Sequence, residues 1–161
     1  MPMEIIPGYG RTDELRELFV EYTDMLVELD PVFKEYLALQ KYDDELEHIE
    51  KKYARPEGRL YMALFDGAVA GCIALRCIDR RRCEMKRLYV RPQFRGKGIA
   101  RALVSRLIDE AAGEGYELML LDSLPVLAAA IELYRSMGFK LVERYNDSPL
   151  DYTVFMGREL P

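Results

Sequence analysis

Residues 93–101, Gln-Phe-Arg-Gly-Lys-Gly-Ile-Ala-Arg, set two glycines and three basic residues where a long amphipathic pattern begins. The unpaired N–H groups of a first helical turn carry partial positive charge, so helix starts ordinarily favour acids. Basic residues there repel one another unless an anion sits among them. Glycine lets a backbone turn tightly and approach a ligand closely, and the N–H groups of a helix start are ready donors to phosphate oxygens. This spacing therefore offers recognition of a phosphate or pyrophosphate. The alternative is a glycine-bearing turn with a solvated basic face. Neither the Gly-x-x-x-x-Gly-Lys-Ser/Thr loop nor the Gly-x-Gly-x-x-Gly fingerprint is present.

Hydrophobic periodicity supplies the elements that must hold such a loop. Leu15, Leu18, Phe19, Tyr22, Met25, Leu26 and Leu29 have helical spacing, with Thr12 as cap and Asp30-Pro31 as stop. A thinner second helix is expected from about 43 to 53. Apolar runs at 60–65 and 68–75 flank Asp66-Gly67, a two-residue hairpin signal. After a basic turn, residues 83–90 alternate as a third strand, which puts Glu84, Lys86, Leu88 and Val90 on one face. The glycine loop follows, then a helix with Leu103, Val104, Leu107 and Ile108 on one side, ended by Gly113 and Gly115. Residues 116–122 read as a buried strand. A helix opened by Pro125 and closed by Gly138 comes next, and 139–144 and 151–160 read as two last strands. The order implies an α/β chain: a mixed sheet, antiparallel first, with a parallel crossover and helices on both faces.

A length of 161 residues suits one domain over 1–161, and half the residues are apolar. A net charge of −5 argues against a broad nucleic-acid face. The N-terminus lacks a signal-peptide pattern and no apolar run reaches membrane-span length. Cys72, Cys77 and Cys83 are odd in number, which fits reduced thiols of a cytoplasm. His48 stands alone, so no metal-ligand spacing appears. The expectation is a cytoplasmic, metal-free protein with neither nucleic acid nor membrane as partner.

The loop resembles that of the GNAT superfamily of acyl-CoA-dependent N-acetyltransferases. Gln93, Gly96 and Gly98 match the family pattern Gln/Arg-x-x-Gly-x-Gly/Ala, preceded by Arg87-Leu88-Tyr89-Val90. Ala130, Leu133, Tyr134, Gly138 and Phe139 match its second pattern, Ala-x-x-Leu-Tyr-x-x-x-Gly-Phe. The close resemblance covers about residues 84–140, and the element order extends it over nearly the whole chain. It implies a GNAT-like fold: a mostly antiparallel sheet of about six to seven strands, splayed between its two central parallel strands.

The resemblance also implies how acetyl-CoA, the expected cosubstrate, is held. Backbone N–H groups across Arg95, Gly96, Lys97, Gly98, Ile99 and Ala100 would cradle the pyrophosphate, with Arg101 adding charge. Unpaired backbone groups at Leu88, Tyr89 and Val90 would bond the pantetheine arm and polarise the thioester carbonyl, where one such N–H contributes roughly 3 kcal/mol. Tyr134 matches the general acid that returns a proton to the CoA thiolate; the alternative is a core tyrosine bonded to a carbonyl. Glu84 matches the catalytic glutamate of histone-acetylating branches. Its alternatives are a surface glutamate paired with Lys86 or the arginine run, with other residues or ordered water as base. Leu127 stands where the family often has an Asn bonding the cofactor arm, and Ser123 is the substitute donor.

In this family the segment between the first two helices lines the acceptor side. That nominates Phe33, Tyr36 and Gln40, with Tyr145 and Asn146 from the C-terminal stretch; the same residues could equally pack the second helix on the sheet. The implied reaction is transfer of an acetyl group to a primary amine by direct attack in a ternary complex. A small-molecule amine is favoured over a protein lysine or N-terminus, and the acidic balance favours a cationic one. A longer acyl-CoA and a catalytically silent CoA-binding regulatory module stay open. Dimers are common in the superfamily, and the sequence leaves a homodimer open.

Overall fold

Asp66 and Gly67 adopt φ of 52° and 80°, the left-handed pair of a type I′ turn. The computed structural model, which describes residues 2–161, shows this turn joining two strands of a seven-stranded sheet. An N-terminal strand β1 (Met3–Pro7), too short to announce itself by alternation, leads into α1 (Thr12–Leu29). Three short helices follow: α2 (Phe33–Leu39), α3 (Tyr42–Glu47) and α4 (Ile49–Lys52). Then come β2 (Arg59–Phe65), β3 (Ala68–Cys77) and β4 (Arg82–Val90). The long helix α5 (Ile99–Glu114), β5 (Leu118–Ser123), α6 (Ala128–Ser136), β6 (Lys140–Leu141) and β7 (Val154–Glu159) complete the chain. The strand order is β1-β2-β3-β4-β5-β7-β6, and β4–β5 is its parallel pair.

Several expected boundaries move. The single helix expected at 43–53 is two short ones, broken at His48, and left-handed Lys41 (φ 56°) separates them from α2. Residues 33–39 are helical because Phe33, Tyr36 and Leu37 share one buried face. Thr12 does not cap α1; its hydroxyl bonds Glu50 instead. After Pro125 the chain makes one more turn, closed by Leu127 N–H to the Leu124 carbonyl at 2.9 Å, before α6 begins. The strand expected at 139–144 keeps only Lys140–Leu141, both exposed at the sheet edge.

Helices cover both faces. Ile99, Leu103, Val104, Leu107 and Ala111 of α5 bury against Tyr61, Ile73, Leu75 and Met119. On the other face Leu15, Leu18 and Phe19 of α1 bury against Leu60, Met62 and Cys72, with Ile49 and Tyr53. A smaller cluster of Leu26, Phe33, Tyr36, Leu37 and Leu124 seats α2 at one end.

Two irregularities open that end. β4 pairs with β5 only over Arg82, Cys83 and Glu84; past Glu84 the strands part. β4 also carries a bulge, because Lys86 faces Ala74 and Tyr89 faces Cys72, leaving two residues opposite Ile73. Arg87 sits in it at φ 60°, a conformation that costs a non-glycine residue about 1–3 kcal/mol. The bulge overturns the expected alternation. Met85, Leu88 and Val90 pack on the α5 side, whereas Lys86 and Arg87, neighbours in sequence, both reach Gln40, the residue that caps the end of α2.

Candidate active site

Gly98 caps α5 in the left-handed region at φ 80°, and Gly96 lies at 79°. The first intrahelical bond runs from Ala102 N–H to the Gly98 carbonyl. Among the described residues no acceptor meets the backbone N–H groups of residues 96–101, and no atom lies within 4 Å of a Cβ built at Gly96 or Gly98. Open donors over an open surface fit a diphosphate. The side chains around them are partly engaged. Arg101 donates to Ser136 Oγ at 2.8 Å, and the Lys97 ammonium lies 5.3 Å from the Phe65 ring. Arg95 folds back, its Nε donating to the Val90 carbonyl at 3.0 Å. That bond occupies one of the backbone groups expected to face the cofactor arm.

Where β4 and β5 part lies a cavity of about 30 Å³, room for about one water. Lys86 and Leu88 border it from β4, Asp122 and Ser123 from β5, and Tyr134 from α6. Tyr134 is 7 % exposed and packs edge-on against Phe139 at 5.8 Å. Its hydroxyl makes no hydrogen bond among the described residues, so no carbonyl holds it. Burial, then the charges of Tyr22 and Asp122, raise its pKa, so the phenol keeps its proton. Asp122 Oδ2 accepts from the Tyr36 hydroxyl and from Asn146 Nδ2, the latter at 2.7 Å. Its Oδ1 has no partner among the described residues, nor has the Ser123 hydroxyl. Leu127 borders the same cavity.

An outer cleft of about 360 Å³ adjoins this cavity, and Tyr36, Gln40 and Lys86 border both. Glu84 is buried in its wall, not set on the surface, and its ion-pair partner is Arg76. Oε1 accepts from Arg76 Nε at 2.8 Å and Oε2 from the Tyr145 hydroxyl at 2.5 Å. Burial pushes this carboxyl up, but the charges of Lys86 and Arg76 and the two hydrogen bonds outweigh it and hold the pKa low. Beneath, Glu45 takes both Arg87 Nε and Nη2 at 2.9 Å and Lys52 at 2.5 Å. Burial opposes its ionisation too, yet these partners hold it at about 2.

Lys86 is less well matched. Its ammonium donates to Gln40 Oε1 at 2.6 Å, an oxygen that Arg87 Nη2 shares at 2.9 Å. Among the described residues it forms no ion pair. Burial and the Arg87 charge depress its pKa to about 8, against the pull of Glu84 and Asp122.

The five expected acceptor-side residues meet here: Phe33 stacks edge-on with Tyr36 at 5.7 Å, and Gln40, Tyr145 and Asn146 make the bonds just given. Asp122, Lys86, Arg87 and Glu45 were not among the expected site residues. Two signals point to them: consecutive charges inside a strand pattern, and an acid ending a buried apolar strand. Among the described residues no three His, Cys, Asp or Glu side chains gather as a metal site, and no helix is long and apolar enough to cross a membrane.

Known proteins are similar to this chain in sequence and in fold. The family described as Acetyltransferase (GNAT) family matches residues 14–139. An uncharacterized N-acetyltransferase of Schizosaccharomyces pombe is 40 % identical over 126 residues, 77 % of each chain. The human N-acetylaspartate synthetase is 35 % identical over 68 % of this chain and 36 % of its own length. Among solved structures, the PaiA N-acetyltransferase of Thermoplasma acidophilum in complex with coenzyme A has the same fold, with a TM-score of 0.77 at 20 % identity over 99 % of both chains. With the open loop and the split sheet in place, these matches make the chain a member of the GNAT acetyltransferase family, an acyl-CoA-dependent enzyme.

Proposed function

We propose that this chain moves an acetyl group from acetyl-CoA to the primary amine of a small molecule, by direct attack within a ternary complex. The observation that carries this reading is the position of Tyr134: a residue 7 % exposed, bordering the cavity where β4 and β5 part, with no protein partner for its hydroxyl among the described residues and with burial raising its pKa so that it holds its proton. Acetyl-CoA supplies an activated acyl carbon with a thiolate leaving group. Backbone N–H groups of residues 96–101, with Arg95, Lys97 and Arg101, hold its diphosphate. Leu88 and Tyr89 offer main-chain groups to its arm, joined by Val90 when Arg95 turns from the Val90 carbonyl to the diphosphate, and the Ser123 hydroxyl replaces the bond that Leu127 cannot make.

The amine nitrogen forms its bond to the acyl carbon as the carbon–sulfur bond breaks. Tyr134 gives its proton to the sulfur, so CoA leaves as a neutral thiol and the phenolate is reprotonated from solvent. The amine's own proton goes to a base. Asp122 fits this role best, because it borders the same cavity as Tyr134 and one of its two carboxylate oxygens has no partner among the described residues. Glu84 is the second candidate. It borders the outer cleft with both oxygens engaged, and its lowered pKa makes it a weaker proton sink.

A cleft of about 360 Å³ lies at the small end of the range for small-molecule sites. One relative is named for making N-acetylaspartate, a small product. Two measurements test the reading. Acetyl-CoA at about 100 times its dissociation constant should stabilise the fold by about 2.7 kcal/mol, a rise of roughly 5–11 °C for this length. Initial rates of thiol release with varied amine and acetyl-CoA should give intersecting lines. Parallel lines would mean an acetyl-enzyme instead. A thermal shift without turnover of any amine would leave a CoA-binding module; neither shift nor turnover would remove the assignment.

A further inference from the structure

An ammonium group taken from water into a protein site is costly unless a counter-charge meets it. The cations of the acceptor cleft nearly all have theirs. Arg76 is paired with Glu84 at 2.8 Å, and Arg87 and Lys52 are both paired with Glu45. Lys86 has only the neutral Gln40 oxygen, which it shares. Asp147 borders the same cleft but is exposed, and it makes no ion pair with Lys86. Of the three hydrogens on the Lys86 ammonium, one is used within the protein.

Its position adds a second, independent observation. Lys86 borders both the outer cleft and the inner cavity, so a molecule reaching Tyr134 from the cleft passes it. Asp122 borders the inner cavity, and one of its carboxylate oxygens has no partner among the described residues. One cation and one anion, neither spent on a direct ion pair, therefore stand along the path. The bulge is what makes this geometry: in a regular strand Lys86 and Arg87 would face opposite ways, whereas here both turn to Gln40. Arg87 is then neutralised by Glu45, and Lys86 is left facing the opening.

We propose that the acceptor is a small amino carboxylate, its carboxylate bound by Lys86 and its amine directed at Asp122 and Tyr134. This rests on the acetyltransferase reading and narrows its acceptor. It also reverses the cationic acceptor suggested by the acidic net charge. The two buried acids near the cleft, Glu84 and Glu45, are committed to arginine and lysine, so bulk charge does not describe this pocket. A carboxylate on the Lys86 ammonium forms a charge-assisted hydrogen bond, the strong kind.

The experiment uses the whole chain with acetyl-CoA and matched amines: the standard amino acids, their decarboxylated counterparts, and their aminophosphonate analogues. Thiol release reports turnover. The expected result is at least one amino acid favoured over its decarboxylated partner by about 30-fold or more in kcat/KM, the lower bound for losing one partner of a buried charge pair. Lys86→Met should shrink that ratio below about 3, acting mainly through the KM of the amino acid, and Lys86→Arg should restore most of it. Preference for the phosphonate over the carboxylate overturns the proposal in favour of a doubly charged group. So does equal use of the decarboxylated amine, or a ratio that survives Lys86→Met. If Lys86→Met raises the KM for acetyl-CoA instead, Lys86 serves the cofactor and the proposal fails. Acceptance of amines but of no amino acid overturns it while leaving acetyl transfer intact; acceptance of no amine at all overturns both.

Discussion

The loop proposed to hold the cofactor and the cleft proposed for the acceptor lie at the same end of the sheet and are made by opposite means. Residues 93–101 are contiguous, and what they offer is backbone: N–H groups without acceptors and two left-handed glycines with nothing beside them. The cleft offers side chains drawn from α2, β3, β4, β5 and the segment after β6, tied by ion pairs and shared oxygens. The loop's chemistry survives changes to most of its side chains. The cleft's chemistry changes with one substitution. A transferase that keeps one donor and must select its acceptor is well served by this division.

Substitutions that respect the division test it. The largest effect is expected from Tyr134→Phe, which removes the proton donor and leaves the ring packed on Phe139. A general acid contributes about 10²–10⁴-fold, so kcat should fall by that factor while the acetyl-CoA thermal shift stays. Asp122→Asn should cost about a hundredfold as well, and Glu84→Gln clearly less. The reverse ranking would give the base to Glu84. Loss of the thermal shift in Tyr134→Phe would show that donor binding and chemistry are one site, which breaks the comparison.

The next effect is on stability and comes from the cleft alone. Lys86 titrates at about 8 in the fold against 10.5 for an unperturbed lysine. Above pH 10.5 it is neutral in both states. As pH falls from 10.5 to 8 the unfolded chain takes up a proton that the folded chain does not, so stability falls across that window and stays lower below it. The whole shift corresponds to about 3 kcal/mol, reduced by solvent reaching the cleft. Lys86→Met removes this cost. It should therefore be about 1–3 kcal/mol more stable than wild type at pH 7, with a flatter profile between pH 8 and 10.5, as urea unfolding at each pH would read. A less stable variant would mean that Lys86 has a protein partner after all, and the amino-carboxylate proposal would lose its ground.

The same division explains what the sequence made legible. The loop could be read because glycine spacing and a helix start are local, and local backbone geometry follows from neighbours in the chain. The Asp66-Gly67 hairpin was legible for the same reason. The cleft was legible only in part. Phe33, Tyr36, Gln40, Tyr145 and Asn146 were reached through resemblance, and the side chains that tie the four polar ones into the cleft lie from 24 to 110 positions away. Lys86 and Leu88 were assigned one face because alternation assumes a regular strand, and a bulge shifts every residue beyond it. Glu84 was read as surface or base because nothing local shows Arg76 and Tyr145 closing on it. The short helices α2, α3 and α4 have too few turns for periodicity to separate them from loop.

The smallest effect is expected at Gly98, and it isolates the loop. At φ 80° an alanine is disfavoured by about 1–2 kcal/mol, yet its methyl group would meet no protein atom. The cost therefore falls on backbone geometry and not on packing. Gly98→Ala should lower the unfolding temperature slightly and raise the KM for acetyl-CoA by about 5- to 30-fold, since relaxing φ turns the N–H groups away from a common point. The preference among acceptors should not change, because no cleft residue touches the loop's donors. A shifted acceptor preference would show that loop geometry reaches the cleft through β4. The backbone site and the side-chain site would then be one mechanical unit, with the bulge at Arg87 as the joint between them.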